Sequence, residues 1–184
     1  MTFRIYAWRF SFSARDSIFF PPGKSGNILR GAFGTIFRKL ACVPECPGAQ
    51  ACEIRSSCAY ARIFEPSAAG TGPSGLADWP RPFVFRASHL DGRVVAPGET
   101  FSFDLNVFDL RDPALAYFVL AFAQLAREGL GPRRGRAALV EVSQLDAERR
   151  PVARLYDGSA FRMEAAPAPL ALALAADGAP RSGR

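Results

Sequence analysis

FRIYAWRFSF, the stretch at residues 3–12, decides the fold class of this chain. Its large aromatic side chains recur at every second position: Tyr6, Trp8, Phe10 and Phe12. Successive side chains of a β-strand point to opposite faces, so this period of two predicts a strand with one buried face. Arg4 and Arg9 interrupt the stretch, which therefore lacks the continuous apolar segment of a signal peptide. We expect a cytoplasmic protein.

A helical pattern begins at Ser25, which suits the N-cap position. Apolar residues then recur at intervals of three and four: Ile28, Leu29, Ala32, Phe33, Ile36, Phe37 and Leu40. Gly31 and Gly34 lie inside this helix, where each costs about 1 kcal/mol relative to alanine. They indicate a place where a backbone or a ligand comes close.

Strand patterns return further along the chain. Residues 82–90 have strand character, and Asp91-Gly92 predicts a hairpin turn into residues 93–96. Residues 100–108 alternate apolar and polar positions, with the apolar set at Phe101, Phe103, Leu105 and Val107. These runs predict two further strands in the same sheet.

A second helix and a final hairpin complete the pattern. Asp112-Pro113 is a typical helix start, and the helix should end at Gly129. Its predicted buried residues are Leu115, Phe118, Val119, Phe122 and Leu125. Residues 138–145 and 152–156 predict a hairpin. The order strand, helix, strand, strand, helix, strand, with one added strand, is the ferredoxin-like βαββαβ arrangement of the α+β class. Both helices should cover one face of an antiparallel sheet.

The only cysteines of the chain fall between residues 41 and 60, a segment with few large apolar residues: Cys42, Cys46, Cys52 and Cys58. The spacing C-x3-C-x5-C-x5-C allows four thiolates to bind one tetrahedral ion at Zn–S distances of about 2.3 Å. We expect a zinc-binding insertion after the first helix, with a structural Zn2+ because four sulfurs leave no position for water. Two disulfides or unligated thiols are the alternatives, and a reducing cytoplasm disfavours the disulfides. The Gly/Pro/Ser/Ala-rich residues 67–78 predict a flexible loop.

Charge points to an anionic partner. The formal net charge is +6 and the isoelectric point is near 9.6, and nucleic acid is the usual partner of such a chain. The arginines vastly outnumber the two lysines, Lys24 and Lys39, so GC-rich coding is an alternative explanation. No stretch approaches the roughly twenty apolar residues of a membrane span, and we expect no membrane partner.

A basic, glycine-rich loop follows the second helix. It reads GLGPRRGR and combines three glycines with three arginines: Gly129, Gly131, Gly135, Arg133, Arg134 and Arg136. Glycines allow backbone N–H groups to approach an anion, and guanidinium groups fork onto phosphate oxygens. The loop runs from a helix into a strand, the reverse of a Rossmann fingerprint, so a dinucleotide site is disfavoured. A C-cap glycine followed by an exposed basic turn is the alternative.

Five short stretches of the sequence, taken together and in their order along the chain, are more informative than any of them alone. They are GNILRGAFG (Gly26–Gly34), the four-cysteine segment, YARIFEP (Tyr60–Pro66), PRPFVF (Pro80–Phe85) and the loop Gly129–Arg136. Together they resemble the RAMP superfamily of CRISPR systems, in particular its precursor-RNA-processing endoribonuclease branch. The resemblance implies a RAMP/RRM-like ferredoxin fold that holds CRISPR repeat RNA. It also implies metal-independent cleavage, in which the ribose 2′-hydroxyl attacks the adjacent phosphate.

RNA contacts are expected from the glycine loop and from the start of the first helix. Lys24 and Arg30 lie there, and helix N-termini favour phosphate. Catalysis by this route needs an acid and a base, and the only histidine is His89, which is the candidate despite lying near a strand end. Family members often place a histidine on or just after the first helix, whereas this chain has none there.

The chain also departs from the family in length. Members of this branch usually have two ferredoxin-like domains, whereas here we expect one domain at residues 1–158 and, at residues 159–184, a tail or the start of a missing second domain. Other CRISPR effector subunits or a separate second RAMP domain are therefore expected partners beside RNA. Two alternatives remain open: a noncatalytic RNA-binding RAMP subunit of a CRISPR effector complex, and a zinc-stapled interaction module without a nucleic-acid partner.

Overall fold

The computed structural model describes residues 4–48, 51–66, 80–108, 114–159 and 167–170. The strands are β1 (Ile5–Ala14), β2 (Ile18–Phe19), β3 (Phe83–Arg86), β4 (Val94–Val95), β5 (Thr100–Phe108), β6 (Ala137–Leu145) and β7 (Pro151–Tyr156). The helices are α1 (Ser25–Ala41), α2 (Ala59–Ile63) and α3 (Ala114–Glu128), with a single 3₁₀ turn at Ser88–Leu90. Within the described residues, none of the helices combines the length and apolar character that a membrane span requires.

Five strands form one antiparallel sheet in the order β3-β5-β1-β6-β7, with β1 at its centre. Phe10 on β1 lies opposite Phe103 on β5 and Val142 on β6. The short strands β2 and β4 pair with each other. The chain is therefore α+β with an antiparallel sheet, as the alternation of strand and helix patterns predicts.

The two long helices pack over one face of this sheet. The alternating aromatic residues of β1 are buried there, as predicted from their spacing. Phe33 of α1 stacks on Phe118 of α3, with ring centroids 4.5 Å apart. Phe122 lies against Phe10 and Phe103 of the sheet, at 5.3 and 4.9 Å. The five core residues predicted for the second helix are all buried.

The other face of the sheet, which we call the open face, carries the alternate residues of the same strands. In register these are Arg9 and Ser11 on β1, Ser102, Asp104 and Asn106 on β5, and Arg86 on β3. Most of them are half-buried, and they are polar where the core face is aromatic.

The hairpin predicted at Asp91-Gly92 is wrong, and the strand predicted at 82–90 ends early, at Arg86. β4 pairs with β2 instead of β3. The Asp91 carboxylate accepts hydrogen bonds from the backbone N–H of Ser25, at 3.0 Å, and from its hydroxyl. These bonds tie the segment to the first turn of α1 and so draw it away from β3. Ser25 is consequently the first helical residue and Lys24 the N-cap, contrary to the predicted cap.

Three predictions fall partly or wholly outside the described residues. The helix start at Asp112-Pro113 and the flexible loop at 67–78 lie outside them. Of the segment 159–184, residues 167–170 run beside the start of β1, where the N–H of Leu170 donates to the carbonyl of Ile5 at 2.7 Å.

Candidate nucleic-acid interface

One end of the sheet gathers the residues that the sequence predicts as an RNA site. β1 ends and β6 begins there, and the N–H of Arg15 donates to the carbonyl of Arg136 at 2.8 Å. The chain passes from β1 through β2 into α1, so Lys24 and Arg30 in the first turns of that helix lie at the same end. We call this region the basic end. Arg30 also donates to Asn27 Oδ1 at 3.2 Å, and both cations are exposed.

The glycine loop, Gly129–Arg136, is closed by two backbone hydrogen bonds between Leu130 and Gly135, at 2.8 and 3.0 Å. Its glycines permit close packing. A Cβ on Gly131 would lie 2.7 Å from the carbonyl oxygen of Phe19, and one on Gly135 would lie 2.5 Å from that of Ser17. At Gly129, whose φ is +111°, a Cβ would meet the carbonyl of Arg134 at 2.3 Å. The structure thus explains the glycines by contact with protein backbone.

The arginines of the glycine loop differ in what they contact. Arg136 forms a two-point ion pair with Asp16, at 2.7 and 3.2 Å, and its N–H donates to the same carboxylate at 3.0 Å. These bonds lower the pKa of Asp16 to about 2 and raise that of Arg136. Arg133 and Arg134 are exposed and form no ion pair with any described residue. Two of the three predicted guanidinium groups therefore remain available to an anion.

His89 lies in the 3₁₀ turn that follows β3 and is exposed. Its Nε2 is 2.8 Å from the carbonyl oxygen of Ser102. A carbonyl only accepts hydrogen bonds, so in the neutral ring Nε2 carries the proton and Nδ1 is left as an acceptor. The turn follows the end of β3 and Ser102 is near the start of β5, which places His89 at the basic end.

The four cysteines are half-buried neighbours with free thiols. The thiol of Cys42 interacts with those of Cys46 and Cys58, and the thiol of Cys46 with that of Cys52. Burial, followed by the neighbouring Cys46, raises the pKa of Cys42 to about 12, whereas a backbone hydrogen bond from Gly48 lowers the pKa of Cys46. Among the described residues, no group of three or more His, Cys, Asp or Glu side chains is positioned to hold a metal ion.

A groove of about 740 Å³ separates the second half of α1 from the cysteine segment and α2. Arg38 and Lys39 line it together with Cys42 and Cys46.

The helix glycine beside this groove has a clear packing partner. The ring of Phe64 lies directly on Gly34, where a Cβ would be 2.1 Å from its Cζ. Arg81 lies over the face of that ring, 4.7 Å from its centroid, and donates to the Phe64 carbonyl at 2.7 Å. Three of the stretches that carry the family resemblance, around residues 34, 64 and 81, are therefore in mutual contact.

Sequence analysis missed a second basic cluster, on the open face. Arg9, Arg86 and Arg149 meet there around Asp104. The alternation in β1 could have placed Arg9 on this face. Arg149 belongs to the turn between β6 and β7, and no local pattern predicts where its side chain lies.

A family model described as "AF_1859_N: N-terminal domain" matches residues 3–168. The chain belongs to the AF_1859_N family. None of the curated proteins matches the sequence. Among solved structures, this AF_1859_N chain is similar to one in the crystal structure of the Csm3-Csm4 subcomplex of the type III-A CRISPR-Cas interference complex. The two share 13% sequence identity with a TM-score of 0.44, over 79% of this chain and 78% of that one.

Proposed function

We propose that this chain binds RNA at the basic end of its sheet. The observation that carries the proposal is the exposure of Arg133 and Arg134, which have no acidic partner among the described residues. They lie at the same end as Lys24 and Arg30. Guanidinium groups bind phosphate oxygens through two parallel hydrogen bonds. A set of cations at one edge suits a polynucleotide better than a single small anion.

We propose further that the sheet is a ferredoxin-like RAMP platform and that the RNA is a CRISPR repeat. Sequence resemblance supports this assignment, since the stretches that carry it lie on α1, α2, β3 and the glycine loop. The strand order β3-β5-β1-β6, with a helix after β1 and another after β5, is consistent with that platform. Other CRISPR subunits or a second RAMP domain are the proposed protein partners.

Binding can be tested with a double substitution, Arg133→Gln with Arg134→Gln, and single-stranded RNA of mixed sequence. Each phosphate contact in a single strand contributes about 0.7 to the slope of log K against log salt, so losing two should lower the slope by about 1.4. Fluorescence anisotropy between about 50 and about 200 mM salt measures this slope. Arg150→Gln is the matched control, because Arg150 pairs with Asp146 at 2.9 Å and Glu148 at 3.1 Å. Wild-type binding that is weak and insensitive to salt would instead favour an interaction module.

A second candidate function is cleavage of the bound RNA by metal-independent transesterification. One observation favours it: the carbonyl of Ser102 fixes the proton of His89 on Nε2 and leaves Nδ1 to accept a proton at the basic end. In this role Nδ1 would take the proton of the ribose 2′-hydroxyl as its oxygen bonds to the adjacent phosphorus. The bond from phosphorus to the 5′-oxygen would break, and that oxygen would take a proton from water. A noncatalytic RNA-binding subunit is the competing proposal, and it uses the same basic end without this step.

We also propose that the cysteine segment binds a structural Zn2+. The support is the proximity of the four thiols, whose pairwise contacts link Cys42, Cys46, Cys52 and Cys58 into one chain. Thiolates are preferred zinc ligands, and metal binding is coupled to folding in segments with little core of their own. These four residues would hold the ion, which would order the segment beside the groove.

A further inference from the structure

Asp104 lies between two arginines on the open face. It is directly opposite Arg9 on β1 and directly opposite Arg86 on β3. Arg9 donates to both carboxylate oxygens, at 2.8 and 3.1 Å. Arg9 thus contacts both oxygens of the carboxylate, whereas Arg86 forms no ion pair among the described residues.

Arg149 brings a third guanidinium to this place. It sits in the turn between β6 and β7 with a φ of +68°, a value that non-glycine residues seldom adopt. Its Nη1 donates to Asn106 Oδ1 at 3.0 Å and lies 3.8 Å from Asp104 Oδ2. Burial, followed by the charge of Arg86, lowers the pKa of Arg149.

The cluster carries unbalanced positive charge in a partly sheltered position. Three guanidinium groups face one carboxylate; the side chains of Arg9, Arg149 and Asp104 are only 32%, 24% and 14% exposed, whereas Arg86 is exposed. Glu141, the neighbouring carboxylate of this face, pairs with Arg154 at 3.2 Å. Like charges held close together and partly shielded from water repel each other, and a bound anion relieves that repulsion.

We propose that Arg9, Arg86 and Arg149 form a phosphate-binding site on the open face, separate from the basic end. That the phosphate belongs to the backbone of single-stranded RNA rests on the proposed function. The site is built from guanidinium groups and the Asn106 amide, which recognise phosphate oxygens and carry no base readout. RNA held at the basic end continues from there across the strands of the sheet.

Arg86→Gln is the test, because Arg86 has no ion pair within the described structure and lies on an edge strand. We expect binding of mixed-sequence single-stranded RNA to weaken about tenfold at low salt, with a salt slope smaller by about 0.7. We expect the melting temperature to stay the same or rise, since a repelling charge has been removed. A purely structural role would lower the melting temperature instead. Arg150→Gln again is the control, since it removes the same charge one residue from Arg149, but from a side chain that already pairs with two carboxylates.

The outcomes separate this site from the proposed function. If Arg86→Gln binds RNA like the wild type while the Arg133/Arg134 double variant does not, the open-face site is overturned and the basic end stands. If the wild type binds no RNA, the proposed function fails. The open-face site is then tested by measuring the melting temperature with and without inorganic phosphate. A rise in melting temperature with phosphate that is lost in Arg86→Gln would support an anion site, and an equal rise in both proteins would overturn it.

Discussion

Gly34 and Gly31 lie one turn apart on α1 and differ in what surrounds their Cα atoms. At Gly34 the Phe64 ring occupies the space that a side chain would need, whereas a Cβ on Gly31 would have no neighbour within 4 Å. The helical pattern predicts a close approach for both glycines. The structure shows a close approach at Gly34 and not at Gly31. The helical pattern does not distinguish the two, because the Phe64 ring that makes the contact lies thirty positions away in the sequence.

Gly34→Ala should destabilise the fold, since the Phe64 ring must move and lose its stacking. Overpacking of this kind costs roughly 1–3 kcal/mol. Gly31→Ala should stabilise the helix by roughly 0.5–1 kcal/mol, because alanine restricts the unfolded chain and fits here. Urea unfolding of both variants measures the difference. Equal shifts in the two free energies of unfolding would contradict the assignment.

Asp16 should make stability depend on pH through its ion pair with Arg136. Its pKa is lowered from 3.8 to about 2, so the folded state favours the ionised carboxylate. The contribution is therefore present above about pH 4 and disappears as the pH falls through about 2. Urea midpoints at low ionic strength should fall more steeply in this range for the wild type than for Asp16→Asn. High salt should reduce the difference between the two proteins, since the Asp16–Arg136 ion pair is exposed. Parallel curves at low salt would show that the pair contributes nothing.

The Asp16–Arg136 ion pair is a feature that residue type alone does not predict. The sequence treats Arg133, Arg134 and Arg136 alike, since all three lie in the same glycine loop. Asp16, 120 positions from Arg136, distinguishes them. The Asp16 carboxylate pairs with Arg136, whereas Arg133 and Arg134 form no ion pair among the described residues. Only the fold brings Asp16 and Arg136 together.

At the scale of elements, long periodic patterns predict the strands and helices correctly, whereas short sequence signals do not. The patterns of β1, β5, α1 and α3 each repeat several times, and the structure confirms all four. The strands β2 and β4 have two residues each, too few for a period. The Asp91-Gly92 pair predicts a hairpin turn incorrectly, because the pattern does not take into account the Asp91 carboxylate, which binds the start of α1.

The cysteine segment is the element whose order should depend on metal. If Zn2+ joins the four thiols, the purified protein contains about one zinc per chain, and a chelator makes residues 41–60 sensitive to protease while the sheet stays resistant. Elemental analysis and limited proteolysis measure the two effects. Cys52→Ser should reproduce the chelator's effect, whereas Ser56→Ala in the same segment should not. A protease pattern that the chelator leaves unchanged would refute the zinc proposal.

At the scale of the whole molecule, the two basic clusters exist because of topology. The basic end forms where β1, β3, β5 and β6 start or finish, and the open face forms where β1, β3 and β5 align Arg9, Asp104 and Arg86. The alternation in β1 and β5 implies two faces, but the strand order decides which polar residues become neighbours. That order places β5 between β3 and β1, and no local pattern specifies such pairings.

Binding and cleavage can be separated in the intact protein at His89. If His89 Nδ1 is the base, repeat RNA should be cut without added divalent cations to leave a 2′,3′-cyclic phosphate, and a 2′-deoxy nucleotide at the cut site should stop the reaction. His89→Ala should slow cleavage by about 10²–10⁴-fold, the usual contribution of a general base, and leave RNA affinity unchanged. Gel analysis of the products under single-turnover conditions measures both effects. RNA that is bound with steep salt dependence but never cut, even with a second RAMP domain added, would assign the chain to the noncatalytic subunits, because the basic end would then be intact and the chemistry absent.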